Sequence, residues 1–206
     1  LTGAELAAAL REQDVSFILG LPRLYSALYD GIQNRIERLR WPLRPAMHGL
    51  ISLSTWLRAR FGLRAGLWLL RPLHAGFAPK LHTLVSGGAP LAPDLALRLE
   101  GFGWQVASGY GLTETSPLLT LIMPESRDFD GAGKPVRDVK LRIRKTDDDM
   151  GEVEVSGPNV FSGYLENPEE TAKSFSEDGW FQTGDRGRLD ADGTLHLFGR
   201  LSTLII

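Results

Sequence analysis

From Val15 to Leu19 the chain is apolar and stops at Gly20, which predicts a short buried strand, and Pro22 stands where a helix can begin. Leu24, Tyr25, Leu28, Tyr29, Ile32, Ile36 and Leu39 then recur every three or four residues, the spacing of an amphipathic helix, until Pro42 ends it. Leu81 to Val85 reads as a second buried strand. Pro93 and Asp94 suit the first turn of a helix through Leu99, Gly101 stops it, and Trp104 to Ala107 forms the next strand. This strand–helix–strand alternation predicts parallel strands with ligand loops at their carboxyl ends.

After Pro124 the pattern changes. Val139, Leu141 and Ile143 alternate with Lys140, Arg142 and Arg144, Asp147 to Gly151 make a turn, and Glu152 to Val155 returns as a strand. A short helix from Pro168 to Phe175 interrupts this antiparallel region. Gly187 to Leu189 and Thr194 to Phe198 then pair across Asp190-Ala191-Asp192-Gly193 as a hairpin. The expected fold class is α/β: a partial parallel-sheet subdomain followed by a mostly antiparallel β subdomain, with the change near residue 125.

At 206 residues, 43% hydrophobic and 23% charged, the chain can bury a core as one or two soluble globular domains. It contains no Cys, which excludes disulfides, thiolate metal sites and a cysteine nucleophile, and agrees with a reducing compartment. No leader or membrane-spanning run is visible, so a cytoplasmic location is expected, and Leu1 in place of Met suggests ends cut from a longer protein. His48, His74, His82 and His196 lack metal spacing and read as ordinary side chains.

The net charge of −2 conceals an asymmetry: between Arg38 and Pro93 there is no Asp or Glu, and seven Arg with Lys80 carry +8, leaving −10 elsewhere. Trp41, Trp56, Phe61, Trp68 and Phe77 are interleaved with these cations. Arg60, Arg64 and Arg71 would align on one helical face, but Trp56 and Leu67 fall on the same side, and Gly62 and Gly66 weaken the segment as a helix. The plainer reading is a solvated, arginine-fringed helical excursion. Contact of residues 38–80 with an anionic membrane surface, at the inner face, is the alternative carried forward; nucleic acid is not expected.

The most specific chemistry lies in Ser108-Gly109-Tyr110-Gly111-Leu112-Thr113-Glu114-Thr115. An aromatic ring can stack on adenine, flanking glycines admit a ligand close to the backbone, a hydroxyl can bond a phosphate oxygen, and a carboxylate can hold Mg²⁺. Ser86-Gly87-Gly88-Ala89-Pro90 lies upstream, while Gly131-Ala132-Gly133-Lys134-Pro135, Asn159-Val160-Phe161-Ser162-Gly163-Tyr164, Trp180-Phe181-Gln182-Thr183-Gly184-Asp185 and Gly199-Arg200 follow. In this order the motifs resemble those of the AMP-forming acyl-CoA synthetases of the adenylate-forming superfamily. The long-chain fatty acid branch is the nearest on Gly20-Leu21-Pro22-Arg23-Leu24-Tyr25 and the Arg-rich excursion.

The resemblance implies the roles. Gly87, Gly88 and Ala89 would wall the adenine and acyl groups, and Gly109 to Gly111 would border the acyl carbonyl. Tyr110 would stack on adenine, Thr113 would bond the α-phosphate, and Glu114 would coordinate Mg²⁺, making Thr113 and Glu114 the catalytic pair. Asp185 would hold the ribose diol and Arg200 ribose and phosphate; the Gly-Lys-Pro turn is structural and Tyr164 is expected to pack. Residues 1–125 would carry the acyl and adenine loops, 126–198 the ribose-binding Asp, and 199–206 the start of a hinge to a carboxyl-terminal domain.

The implied activity joins a fatty acid to ATP as an acyl-adenylate and passes the acyl group to CoA. Other adenylate-forming chemistry on aryl or amino acids, or a non-catalytic nucleotide- or acyl-binding homologue, are the alternatives. The family's Lys-Gly phosphate loop lies upstream of these residues and its distal catalytic Lys beyond Ile206, so the piece alone is expected to be inactive. Its strands from Val15 to Ala107 would lack sheet neighbours and favour self-association. One departure stands out: Leu201-Ser202-Thr203 occupies the place of the usual Lys-Lys-Asp hinge.

Overall fold

A computed structural model describes residues 9–10, 12–126, 129–145 and 150–201. Most of the expected turn at Asp147 to Gly151, and Ser202 and Thr203 of the hinge, lie outside the described residues. The chain divides into two compact units, Leu1–Ser108 with Met123–Phe129, and Gly109–Ile122 with Asp130–Ile206.

In the first unit β1 (Phe17–Gly20), β2 (Thr83–Ser86) and β3 (Gln105–Tyr110) run parallel, with Gly20 in register with Ser86 and Ser86 with Ser108; β3 continues into the second unit at Gly109. Helix α1 (Pro22–Glu37) has Pro at its start and buries Tyr25, Leu28, Ile32 and Ile36 at helical spacing. The Tyr25 hydroxyl donates to the carbonyls of Val85, at 2.6 Å, and Ile18, at 3.1 Å, tying α1 to both strands. Burial pushes its phenol up to about 12. The expectation of a buried first strand is corrected: β1 pairs with β2 along one edge, and Phe17 and Leu19 are 50% and 69% exposed.

The segment expected to be a weak helix is a long one. Helix α2 spans Leu43–Phe61, and Gly62 terminates it in the left-handed conformation at φ 76°. Short helices α3 (Gly66–Leu69) and α4 (Arg71–Phe77) follow. Gly66 is required by close approach: a Cβ there would enter the backbone of Phe102 and Gly103, which follow α5 (Pro93–Gly101). The glycines therefore end one helix and seat the next.

Arg58 on α2 is buried, not solvated. Its guanidinium grips Glu100 of α5 with two hydrogen bonds, 2.5 and 3.0 Å, and donates to the carbonyls of Pro124 and Ser126 at 3.0 and 2.7 Å. Arg64 also donates to the Pro124 carbonyl and lies 3.7 Å from Glu100. Beside this cluster Trp104 packs against Phe102 and His74, each with rings 5.5 Å apart, and His74 Nε2 bonds the Phe102 carbonyl at 2.7 Å.

In the second unit Leu119 N donates to Tyr110 O at 2.7 Å, and β4 (Thr120–Ile122) pairs antiparallel with β5 (Lys134–Pro135). The antiparallel sheet β6 (Lys140–Lys145), β7 (Gly151–Ser156), β8 (Phe181–Leu189) and β9 (Leu195–Arg200) follows, with α6 (Pro168–Lys173) before β8. Its core is Leu119, Val139, Val153, Val155, Phe181 and Leu195, with Tyr110, Leu112 and Phe161 packed against it. The predicted α/β unit followed by antiparallel β is the observed fold class. Among the described residues no helix is long and apolar enough to cross a membrane.

Arg58→Ala strips the two direct hydrogen bonds from a carboxylate that is fully buried, a change that typically costs about 3–5 kcal/mol. The double change Arg58→Met with Glu100→Leu should recover most of that loss in denaturant unfolding; a single variant as stable as wild type would remove the pair from the fold's energetics. His74 gives a pH signature. Burial lowers its pKa below the ordinary 6.5, against the opposing hydrogen bond to Phe102, so the fold favours neutral imidazole. Its stabilisation is present above about pH 6.5 and fades as the pH falls. His74→Gln should flatten the loss of stability between pH 7 and 5, measured as the shift in unfolding midpoint.

Candidate functional site

In the second unit Asp185 contacts both Tyr110 and Arg200, and Arg200 and Glu114 line one groove. Strand β3 runs on through Ser108-Gly109-Tyr110 instead of ending at Ala107, so the loop begins at Gly111. Gly111 is demanded by the chain itself, since a Cβ there would overlap the Pro117 carbonyl. Beyond it Thr113–Thr115 form a single 3₁₀ turn. The buried Thr115 hydroxyl accepts from Leu112 N and donates to Leu112 O, each at 2.9 Å, while Asn159 Nδ2 donates to the carbonyls of Thr115 and Leu118 at 2.9 and 2.7 Å. This bracing leaves Thr113 exposed and Glu114 half-buried.

Asp185 sits within β8 and not in a turn, just before a register shift between Asp185 and Gly187. It pairs with Arg200 of β9, whose Nε lies 3.3 Å from Asp185 Oδ1. The Tyr110 hydroxyl donates to Asp185 Oδ2 at 2.6 Å. Burial, and then the adjoining Asp185 carboxylate, push the Tyr110 phenol far above its ordinary value and keep it a proton donor. Asp185 N is met by Thr183 Oγ1 at 3.1 Å, and Gly184, at φ 72°, donates its N–H to Glu152 Oε1 at 3.2 Å.

Glu114 is held by a residue expected only to pack. Tyr164 OH donates to Glu114 Oε1 at 3.0 Å while its ring meets Phe161 edge-on at 4.9 Å, and Phe161 N donates to the Glu114 carbonyl at 2.8 Å. Partial burial, then Glu114, raise the Tyr164 phenol. A groove of about 240 Å³ opens here, lined by Glu114, Tyr164, Lys173, Gln182, Gly184 and Arg200 among others. Glu152 and Lys173 carry no signal in the local motifs; Asn159 and Tyr164 are visible only as ends of Asn159-Val160-Phe161-Ser162-Gly163-Tyr164.

In the first unit Gly87, Gly88 and Ala89 leave the carboxyl end of β2. Gly87 N donates to Gly20 O at 3.1 Å and its Cα faces open space, while Gly88 turns at φ 76° over the Leu21 side chain. Among the described residues no group of three or more His, Cys, Asp or Glu is placed to hold a metal ion. Among the described residues a metal enclosed by protein ligands alone therefore does not fit, whereas the half-buried Glu114 is compatible with Mg²⁺ on a single carboxylate completed by phosphate oxygens and water.

A model of the AMP-binding enzyme family matches residues 1–165. A 2-succinylbenzoate–CoA ligase of Enterococcus faecalis is 36% identical over 140 residues, covering 64% of this chain and 28% of the relative. A long-chain-fatty-acid–CoA ligase of Mycobacterium bovis is 40% identical over 136 residues, covering 66% of this chain and 22% of the relative. The solved structure of Bacillus subtilis O-succinylbenzoate coenzyme A synthetase in complex with ATP and magnesium ion shares the fold, with a TM-score of 0.70 at 23% identity over 100% of this chain and 36% of that one. The chain spans less than a third of the length of these relatives' sequences. With four-fifths of its length matched by the family model, and acyl-CoA ligases among its relatives, the chain belongs to the AMP-binding enzyme family.

Proposed function

We propose that this chain supplies the nucleotide-holding part of a ligase that couples a fatty acid to AMP from ATP, releasing pyrophosphate, and then passes the acyl group to the CoA thiol. The observation that carries the reading is the Tyr110–Asp185–Arg200 constellation beside the Glu114 groove. A carboxylate accepts about four hydrogen bonds, so Asp185 can keep Tyr110 and Arg200 and still receive a vicinal diol, the ribose of ATP or AMP. Tyr110, its hydroxyl tethered to Asp185, would present its ring to adenine, and the Arg200 fork would meet ribose and phosphate oxygens.

In the first reaction a carboxylate oxygen attacks the α-phosphorus and the bond to pyrophosphate breaks. The exposed Thr113 hydroxyl would donate to an α-phosphate oxygen as charge gathers there. Mg²⁺, when bound, neutralises phosphate charge, and Glu114, steadied by Tyr164, is the residue that would hold it. Gly87, Gly88 and Ala89 would wall the adenine and acyl groups, with the Gly109–Gly111 backbone beside the acyl carbonyl. In this assignment residues 1–125 carry the acyl and adenine loops, 126–198 the ribose carboxylate, and 199–206 the start of the hinge. The ATP and magnesium ion in the Bacillus neighbour's complex support the cofactor set, and the Mycobacterium long-chain-fatty-acid–CoA ligase supports a fatty acid. The Enterococcus relative's name favours a second reading, an aromatic acid as the carboxylate.

Two measurements test this. Glu114→Gln, in the complete protein, should lower fatty-acid-dependent ATP–pyrophosphate exchange at least a hundredfold with little change in fatty-acid binding; unchanged exchange would remove Glu114 from the chemistry. Exchange supported by 2-succinylbenzoate and not by palmitate would favour the aromatic reading. Asp185→Ala should weaken AMP at least tenfold in calorimetric titration, since charge-assisted hydrogen bonds contribute about 1.5–3 kcal/mol each. Equal affinity of the wild type for AMP and its 2′,3′-dideoxy analogue would overturn the ribose assignment.

A further inference from the structure

Glu114 and Tyr164 meet where burial does not force them together. Both line the groove of the second unit, Tyr164 is 37% exposed, and water could satisfy a phenol and a carboxylate there. The Tyr164 hydroxyl nevertheless donates to Glu114 Oε1 at 3.0 Å, and the fold fixes both ends of that bond. Phe161 is common to them: its N–H donates to the Glu114 carbonyl at 2.8 Å, and its ring meets Tyr164 edge-on at 4.9 Å while packing on Phe175 and Phe181 at 5.8 and 5.3 Å. Thr171 of α6 holds Tyr164 by the backbone, its hydroxyl accepting from Tyr164 N at 2.9 Å and donating to the Asn167 carbonyl at 2.8 Å. Gly163, at φ 147°, brings the chain so close to Thr171 that a Cβ there would overlap the threonine side chain.

The bond engages one oxygen of the carboxylate and leaves the other. An ionised carboxylate only accepts, so the phenol is the donor. Among the described residues no hydrogen bond is made to Glu114 Oε2, and no cationic side chain pairs with Glu114. Lys173 and Arg200, which line the same groove, lie instead 3.6 Å from Glu170 and 3.3 Å from Asp185. Glu114 thus keeps one carboxylate oxygen clear of protein partners.

We propose that Tyr164 determines which cation Glu114 prefers: by engaging Oε1 it makes Glu114 a one-oxygen ligand, which favours Mg²⁺ over the larger Ca²⁺. Mg²⁺ demands a near-ideal octahedron, and the two oxygens of one carboxylate lie too close together to fill two of its corners. Ca²⁺ accepts both oxygens of a carboxylate in a looser shell, so a Glu114 freed from Tyr164 would suit it better. Tyr164 is therefore a positioning residue, acting on the metal through the orientation of its ligand. The inference rests on the reading of Glu114 as the magnesium carboxylate, and adds to that reading the side chain that sets its selectivity.

The test is calorimetric titration of the complete protein with the Mg²⁺ and Ca²⁺ complexes of α,β-methylene ATP, in which the bond to pyrophosphate cannot break, so that binding is read without turnover. The wild type is expected to bind the Mg²⁺ complex more tightly. One hydrogen bond to a charged group is worth about a tenfold change in affinity, so Tyr164→Phe, which keeps the ring on Phe161 and removes only the hydroxyl, should lower the Mg²⁺-to-Ca²⁺ preference about tenfold. Its unfolding midpoint should stay that of the wild type, because the hydroxyl lies at an exposed position. Thr171→Val, which leaves Glu114 untouched, should move the preference in the same direction. A preference unchanged in Tyr164→Phe, or both complexes weakened equally, would overturn the proposal, as would a wild type that binds the two complexes alike. Glu114→Gln separates the two levels: if it abolishes the preference while Tyr164→Phe keeps it, only the role of Tyr164 falls. If Glu114→Gln binds both complexes as the wild type does, the magnesium reading of Glu114 falls and takes the role of Tyr164 with it.

Discussion

A carboxylate taken out of water has to be met by donors, and among the described residues four are buried: Glu100 in the first unit, and Glu152, Glu154 and Asp185 in the second. Glu100 draws Arg58 through α2, and the same guanidinium reaches the Pro124 and Ser126 carbonyls, so one side chain fixes a helix, a second helix and the returning segment Met123–Phe129. In the second unit Arg142 and Arg144 cross from β6 to meet Glu154 and Glu152 on β7. Glu152 reaches on to the Gly184 N–H, one residue before Asp185. The structural carboxylates thus lead directly to the proposed ribose carboxylate.

Asp185 differs from the others in how it is satisfied. Glu100 is closed in by guanidinium groups, whereas Asp185 takes its hydrogen bond from a phenol and its charge partner from Arg200, whose side chain is 58% exposed. Such a carboxylate is held in place yet keeps lone pairs beyond these two contacts, which is what recognition of a diol requires. Tyr110 serves two ends at once, its ring against the second unit's core and its hydroxyl on Asp185. Core packing therefore sets the position of the proposed nucleotide platform.

The glycines around Tyr110 suggest ligand approach when read along the chain. In the fold, Gly111 first serves the protein: the chain doubles back so tightly that Pro117 takes up the space of a Cβ. That doubling produces the turn on which Thr113 and Glu114 are displayed, and Asn159 and Thr115 stiffen it from behind. A residue chosen for backbone shape thereby controls where Thr113 and Glu114, the proposed catalytic pair, are presented.

Local patterning by itself determined strands β1 to β3 with α1 and α5 between them, the antiparallel strands that follow Val139, and the motif positions from Gly87 to Arg200. Each of these is written in spacings of two, three or four residues or in contiguous peptides. Long-range pairing was decided only by the tertiary structure. Nothing near Arg58 announces Glu100, 42 residues away, and nothing near Tyr110 announces Asp185, 75 residues away. Gly62 and Gly66, which weaken the excursion on propensity, become a helix end and a close contact once Phe102 and Gly103 are in place. Tyr164 reads as packing until the fold sets its hydroxyl on Glu114. Propensity and periodicity are properties of neighbours along the chain; the partner of a buried charge or hydroxyl is a property of neighbours in space, fixed only when the core has closed around it.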